Sequence, residues 1–265
     1  MPRANRYFLP GYIYHITHRC HDKDYLLKFS YEKKRYLYWL KRCVEKYLLK
    51  VITYCITDNH IHLLVHPKND DQVIATSMQL IAGRVAQEYN ERKSRTGAFW
   101  EDRYHATAIQ SQDHLLTCMI YIDLNMVRAG VVTSPSQWEY CGYYDLLNKN
   151  KNVIIDIKTL VESTGFTNWD DFFISYRKQL AVAMADSLPK RDQSWSNSIA
   201  IGDENFISEF KAKLGFRAKY RPIVMDECFE PKNILQESIA PYGSFLSEDK
   251  NDEIENNLFY WEDGE

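Results

Sequence analysis

Lys50-Val51-Ile52-Thr53-Tyr54-Cys55-Ile56-Thr57-Asp58-Asn59-His60-Ile61-His62-Leu63-Leu64-Val65-His66 is the stretch on which the fold turns. Its β-branched and apolar runs predict two strands, 50–56 and 60–66, separated by a short polar break. Side chains alternate faces along a strand, so His60 and His62 project from one side while Ile61, Leu63 and Val65 face the other, into a core. Two neutral imidazoles at that spacing can grip one divalent cation. His66 shares their face but lies about 13 Å from His62 along the strand, too far to ligate the same ion.

Outward from this pair, the pattern predicts a strand at 12–19 and a helix at 31–49 before it. After it come a helix at 71–93, a strand at 102–110 and a helix at 111–129. The order β-α-β-β-α-β is that of a ferredoxin-like split βαβ sheet, an α+β fold, with one added helix. In such a sheet the helices cover one face and leave the other available to His60 and His62. The added helix carries Leu115, Leu116, Met119, Ile122, Met126 and Val127 at helical spacing, with Ser111 as N-cap and Gly130 to close it. Tyr121 and Asn125 are four apart on one face of it. Read from spacing alone, Tyr121 is an amphipathic core residue and Asn125 a helix-end hydrogen-bonder.

The formal net charge of −3 hides an asymmetry. Residues 1–50 hold 12 Lys+Arg against 4 Asp+Glu, whereas the last forty residues hold 2 against 12. A basic front with interleaved aromatics (Arg35 to Trp39, Lys41, Arg42) can follow a phosphate backbone and stack bases. The alternative is an ordinary helix whose Tyr36, Leu37, Leu40 and Val44 form a buried stripe. The six cysteines are scattered singly and suggest neither a zinc site nor a disulfide framework. With no apolar run long enough to span a membrane and no secretory pattern after Met1, a cytoplasmic protein is expected. Beyond about residue 145 the character changes. The expected organisation is a domain at 1–145, a mainly helical C-terminal extension at 146–225 and an acidic tail at 226–265.

Together these segments resemble a known family. His60-Ile61-His62 is similar to the HUH signature of single-tyrosine DNA endonucleases. The wider chain resembles IS200-like transposases of the REP-associated tyrosine transposase branch. The resemblance rests on four ordered blocks: Pro2-Arg3 with Phe8 to Thr17, the His60 to His66 strand, Gly97 to His105, and Tyr121 to Gly130. Two departures stand out, Met126 where a proline is usual and Thr57-Asp58 where Met-Pro commonly precedes Asn-His. The resemblance implies that the added helix closes Tyr121 and Asn125 over the histidines. His60, His62 and Asn125 would then hold Mg²⁺ or Mn²⁺, and Tyr121 would be the catalytic nucleophile.

The implied activity is metal-dependent cutting and rejoining of single-stranded DNA at or near hairpins through a 5′-phosphotyrosine bond. Asp58 is a further candidate, as a ligand or as a partner behind the ligands. Arg3, Arg19, Arg95, Arg103, His105 and Arg128 are candidate DNA contacts, although Arg128 equally suits tying the helix end to the sheet. His15 reads as a sheet residue and His18 as its neighbour on the opposite face. The family contains monomers and homodimers, so the oligomeric state stays open. A protein of this fold that binds DNA or RNA without cutting, and a hydrolase using bound water, are the competing readings.

Overall fold

In the computed structural model, residues 8–68, 70, 72–148, 154–185, 191–218, 221–226 and 232–236 are described. The first six elements are β1 (Ile13–Arg19), α1 (Ser30–Tyr47), β2 (Lys50–Ile56), β3 (His60–His66), α2 (Gln72–Arg92) and β4 (His105–Ile109). The strands lie in the order β2-β3-β1-β4, with β1 antiparallel to both β3 and β4. This is the ferredoxin-like arrangement that the element order predicts. Helix α1 buries Tyr36, Leu40 and Cys43, and α2 buries Ile74, Met78, Ile81 and Val85. Those stripes pack the two helices together, and Cys43 Sγ reaches the Ser77 carbonyl across them at 3.6 Å.

The register sets what the opposite face carries. Thr17 of β1 stands opposite His62 of β3 and His105 of β4, and Arg19 stands opposite His60. Cys55 of β2 pairs with His62. By the pleat, His15, Thr17, Arg19, His60, His62 and His105 share one face, while the fully buried Ile61 and Leu63 occupy the other.

The added helix is broken where the sequence pattern is continuous. It runs as α3 (Asp113–Asp123), turns at Leu124 (φ −81°, ψ 2°) and resumes as the single turn α4 (Asn125–Arg128). Ser111 is not its N-cap; Gln112 is, at φ 65° and without a side-chain capping bond. Gly130 closes it as expected, at φ 68°, its N–H bonding the Val127 carbonyl at 2.9 Å.

Beyond it come α5 (Gly142–Leu147), α6 (Ile157–Thr164), α7 (Trp169–Ala185), α8 (Ser194–Asn197), β5 (Ser198–Gly202), α9 (Glu204–Leu214), β6 (Ile223–Asp226) and β7 (Lys232–Gln236). The helical extension expected here therefore also holds strands. β5 pairs parallel with β4, and β7 and β6 continue the sheet to seven strands. Asp226 pairs with Lys232, so residues on both sides of the boundary expected at 226 pair in one sheet, and 232–236 belong to it. The acidic residues 237–265 lie outside the described residues. Among the described residues no helix is long and apolar enough to cross a membrane.

Candidate active site

A cavity of about 400 Å³ opens on the histidine face of the sheet. The strands contribute Thr17, Arg19, His60, His62 and His105; the helix pair α3–α4 contributes Tyr121, Asn125 and Arg128. The break at Leu124 leaves Asn125 at the head of its own turn, where its Nδ2 donates to His62 Nε2 at 3.0 Å. The Tyr121 ring stands perpendicular to that of His62, with centroids 6.0 Å apart. Residues sixty positions apart thus converge on one small space.

Each histidine is held through Nδ1. His60 Nδ1 lies 2.8 Å from Asn59 Oδ1 and 2.9 Å from Thr57 Oγ1. The Thr57 hydroxyl also donates to the His60 carbonyl at 2.8 Å and receives the His60 N–H at 3.1 Å, so Thr57 organises the turn that aims the imidazole. His62 Nδ1 lies 2.9 Å from Nε2 of His15, whose Nδ1 lies 2.8 Å from the Trp195 carbonyl. The opposite nitrogens, Nε2 of His60 and His62, are those left to a ligand. Burial keeps all three rings neutral at pH 7. It pushes His15 down to about 3 and His60 to about 4, and holds His62 well below the usual imidazole range, the neighbouring cations and imidazoles adding to the effect.

Neutral imidazoles with an amide oxygen suit a divalent cation, Mn²⁺ more readily than Mg²⁺. Among the described residues no group of three His, Cys, Asp or Glu side chains is placed to hold a metal. A third ligand must therefore come from a residue such as Asn125, whose amide turns its oxygen towards the His62 position by a simple flip. The donor set fits.

Tyr121 is buried, and burial raises its phenol above the ordinary value, opposed by Arg128 and Arg191. The Arg128 guanidinium lies 4.2 Å from the centre of the Tyr121 ring and donates from Nη2 to the Tyr121 carbonyl at 2.7 Å. Its Nη1 is buried with no hydrogen-bond partner among the described residues. An orphaned guanidinium N–H beside a tyrosine is a place for an anionic oxygen.

The family described as "Transposase IS200 like" matches residues 9–125. Those residues are similar to an IS200-like transposase domain. A Haemophilus influenzae protein assigned to the REP-associated tyrosine transposases is 28% identical over 155 residues, spanning 54% of this chain and 86% of that one. Among solved structures, a REP-associated tyrosine transposase bound to a REP hairpin has a TM-score of 0.48 at 16% identity, covering 57% of this chain and 88% of that one. A Deinococcus radiodurans transposase scores 0.31 at 14% identity, covering 45% and 91%.

The residues expected from the sequence divide. Tyr121, His60, His62, Asn125, Arg19, Arg103, His105 and Arg128 all line the cavity. Asp58 does not: its carboxylate pairs with Lys33 of α1 at 2.7 Å, because it precedes the strand and sits in the turn facing the helix layer. Arg95 also lies elsewhere, bonding Asn90 Oδ1 at 3.1 Å and the Ala98 carbonyl at 2.9 Å within its own loop. Arg3 lies outside the described residues. Of the basic aromatic helix, Arg35 is tied to Glu88 at 2.7 Å, and Tyr36 is fully buried as the stripe reading requires.

The contribution from beyond residue 145 carries no signature in the sequence. Arg191, Ser196 and Asn197 line the same cavity, and the Trp195 ring lies 6.0 Å from that of Tyr121. Arg191 stood in an unremarkable polar stretch. No spacing linked it to a histidine more than a hundred residues earlier.

Proposed function

We propose that this chain cuts and rejoins single-stranded DNA at or near hairpins, with Tyr121 as nucleophile and His60, His62 and Asn125 as the holders of Mg²⁺ or Mn²⁺. The observation that carries this reading is the convergence of Tyr121, Asn125 and the two histidines on one cavity rimmed by arginines. The hairpin preference is carried over from the REP-associated relatives. When bound, the cation would withdraw charge from a phosphate and align it for in-line attack.

The protein's own groups do the rest. Arg128 offers an Nη1 with no partner among the described residues, and with Arg19, Arg103 and Arg191 it outnumbers Glu101 and Asp102 around the cavity, a balance that favours a phosphodiester there. The Tyr121 oxygen attacks phosphorus; the Oη–P bond forms, the P–O3′ bond breaks, and the departing 3′ oxygen takes up a proton. A 3′-hydroxyl attacking the phosphotyrosine reverses the sequence, so the phosphodiester is exchanged rather than hydrolysed and no nucleotide cofactor is consumed. Arg128 and Arg191 favour the phenolate against the burial that disfavours it.

The test is incubation with a pool of single-stranded hairpins and Mn²⁺, read on denaturing gels beside Tyr121→Phe. A covalent adduct formed by the parent and absent from the variant is expected. Hairpin binding without an adduct would favour the non-cutting regulator. Cleavage that survives in Tyr121→Phe would favour hydrolysis by water.

A further inference from the structure

His15 is fully buried, on the central strand β1, two residues from the Thr17 that stands opposite His62. That register makes His15 the diagonal neighbour of His62 on the cavity face. Its two nitrogens are both engaged, Nδ1 with the Trp195 carbonyl at 2.8 Å and Nε2 with His62 Nδ1 at 2.9 Å. At the far end of the row, Asn125 Nδ2 donates to His62 Nε2 at 3.0 Å. A carbonyl can only accept, and the amide NH₂ can only donate.

Between those ends, two imidazoles carrying one hydrogen each satisfy every contact in a single way. His15 donates from Nδ1 to Trp195 and accepts at Nε2; His62 donates from Nδ1 and keeps its lone pair at Nε2. We propose that His15, oriented by the Trp195 carbonyl, is a positioning residue that fixes His62 as its Nδ1–H tautomer and so points the Nε2 lone pair into the cavity.

His60 reaches the same tautomer by local means, through Asn59 Oδ1. His62 reaches it only through a segment 180 residues removed from His15. The contacts that hold that segment in place include a bond from Thr107 Oγ1 to the Trp195 carbonyl itself at 3.3 Å. Thr107 Oγ1 donates to the Ser198 carbonyl at 2.7 Å, Lys232 of β7 pairs with Asp192, and the Lys232 ammonium lies 4.4 Å from the centre of the Trp195 ring. The C-terminal strands thereby set the hydrogen of a ligand in the transposase domain.

The proposal rests on the reading of His62 as a cation ligand, and its test separates the two. Long-range ¹H–¹⁵N correlation spectra of the metal-free, full-length protein with ¹⁵N-labelled histidine report the tautomer directly. The expected result is a single Nδ1–H form of His62. In His15→Phe, which removes the acceptor, His62 should become a mixture containing Nε2–H. Mn²⁺ affinity, measured by titration calorimetry, should fall about ten- to hundredfold. His15→Gln, whose amide can donate to Trp195 and accept from His62, should restore both.

A wild-type His62 in the Nε2–H form, or a His15→Phe protein with unchanged tautomer, overturns the relay. A tautomer switch between wild type and His15→Phe, together with a wild type that binds no Mn²⁺, upholds the relay and removes the metal reading. The wild-type spectrum decides the tautomer even if His15→Phe does not fold.

Discussion

In the proposed reaction Tyr121 would lose a proton in a setting that holds the proton on, and among its neighbours Arg128 opposes that burial most. Arg128→Met keeps most of the stem and removes the cation over the ring. Adduct formation at pH 7 should slow about tenfold for each unit by which the phenol pKa rises, and its alkaline rise should move to higher pH. An unchanged pH profile would mean that Arg128 serves only to hold the helix end through the Tyr121 carbonyl. Two residues on, Asp123 points away from the cavity, as its position on the helix predicts. It receives the Tyr176 hydroxyl at 2.5 Å and that of Thr53 at 3.2 Å, and burial pushes its carboxyl up to about 7. Asp123→Ala strands two buried hydroxyls, so the urea midpoint should drop by the equivalent of about 1–3 kcal/mol. Asp123→Asn, which still accepts, should cost less. Equal losses from the two substitutions would show that packing, not hydrogen bonding, sets the effect.

At the scale of elements, the strands that carry the histidines and the helix that carries Tyr121 were readable because each announces itself locally. Val51 to Ile56 and Ile61 to Val65 are apolar runs with nothing helical in their spacing, and Tyr121 and Asn125 differ by one helical turn. The break at Leu124 was not readable, since Ile122, Met126 and Val127 keep the helical period straight across it. Nor were β5 and β7, five residues apiece, one following directly on the polar turn α8 and the other set among acidic residues. Strands this short gain stability from their neighbours, which the local sequence does not describe. The seating of α5 shows how tight such neighbour contacts are. A Cβ built on Gly142 would lie 2.0 Å from Thr53 Oγ1 and 3.1 Å from the Tyr54 nitrogen, so the start of α5 can rest on β2 only without a side chain. Gly142→Ala should therefore force α5 off β2, strain the 2.6 Å bond from the Tyr54 hydroxyl to Asp145, and cost about 1–3 kcal/mol by overpacking. Amide hydrogen exchange should quicken in β2 first. Unchanged protection there would show that the strand does not depend on this contact.

Over the whole molecule, the site is assembled from both halves of the chain, and its longest link was illegible for a plain reason. Any residue can present a backbone carbonyl, so nothing about Trp195 marks it as the partner of His15. The same assembly buries three imidazoles whose hydrogen bonds, among the described residues, go to no carboxylate, and this shapes the response of the molecule to acid. His15 and His60 titrate near 3 and 4 when folded and His62 well below its usual value, whereas an unfolded histidine titrates near 6.5. Below pH 6.5 the unfolded chain takes up protons that the folded chain refuses, so stability falls as pH falls, by at most about 1.4 kcal/mol per unit for each group. Asp123 works in the opposite sense. Its folded pKa of about 7 lies above the unfolded value of 3.8, so the folded chain holds the extra proton between them and acidification favours it. The three buried imidazoles, joined by His66 whose burial also lowers it, outweigh Asp123 and the likewise raised Asp145, and leave a net loss of about a few kcal/mol between pH 6.5 and 5 in the metal-free protein. Urea midpoints measured across that window should decline steadily, and Asp123→Asn should steepen the decline by removing an opposing group. A flat or rising profile would mean that the histidines already carry charge in the folded protein, and with it the neutral imidazole row behind the cavity would be lost.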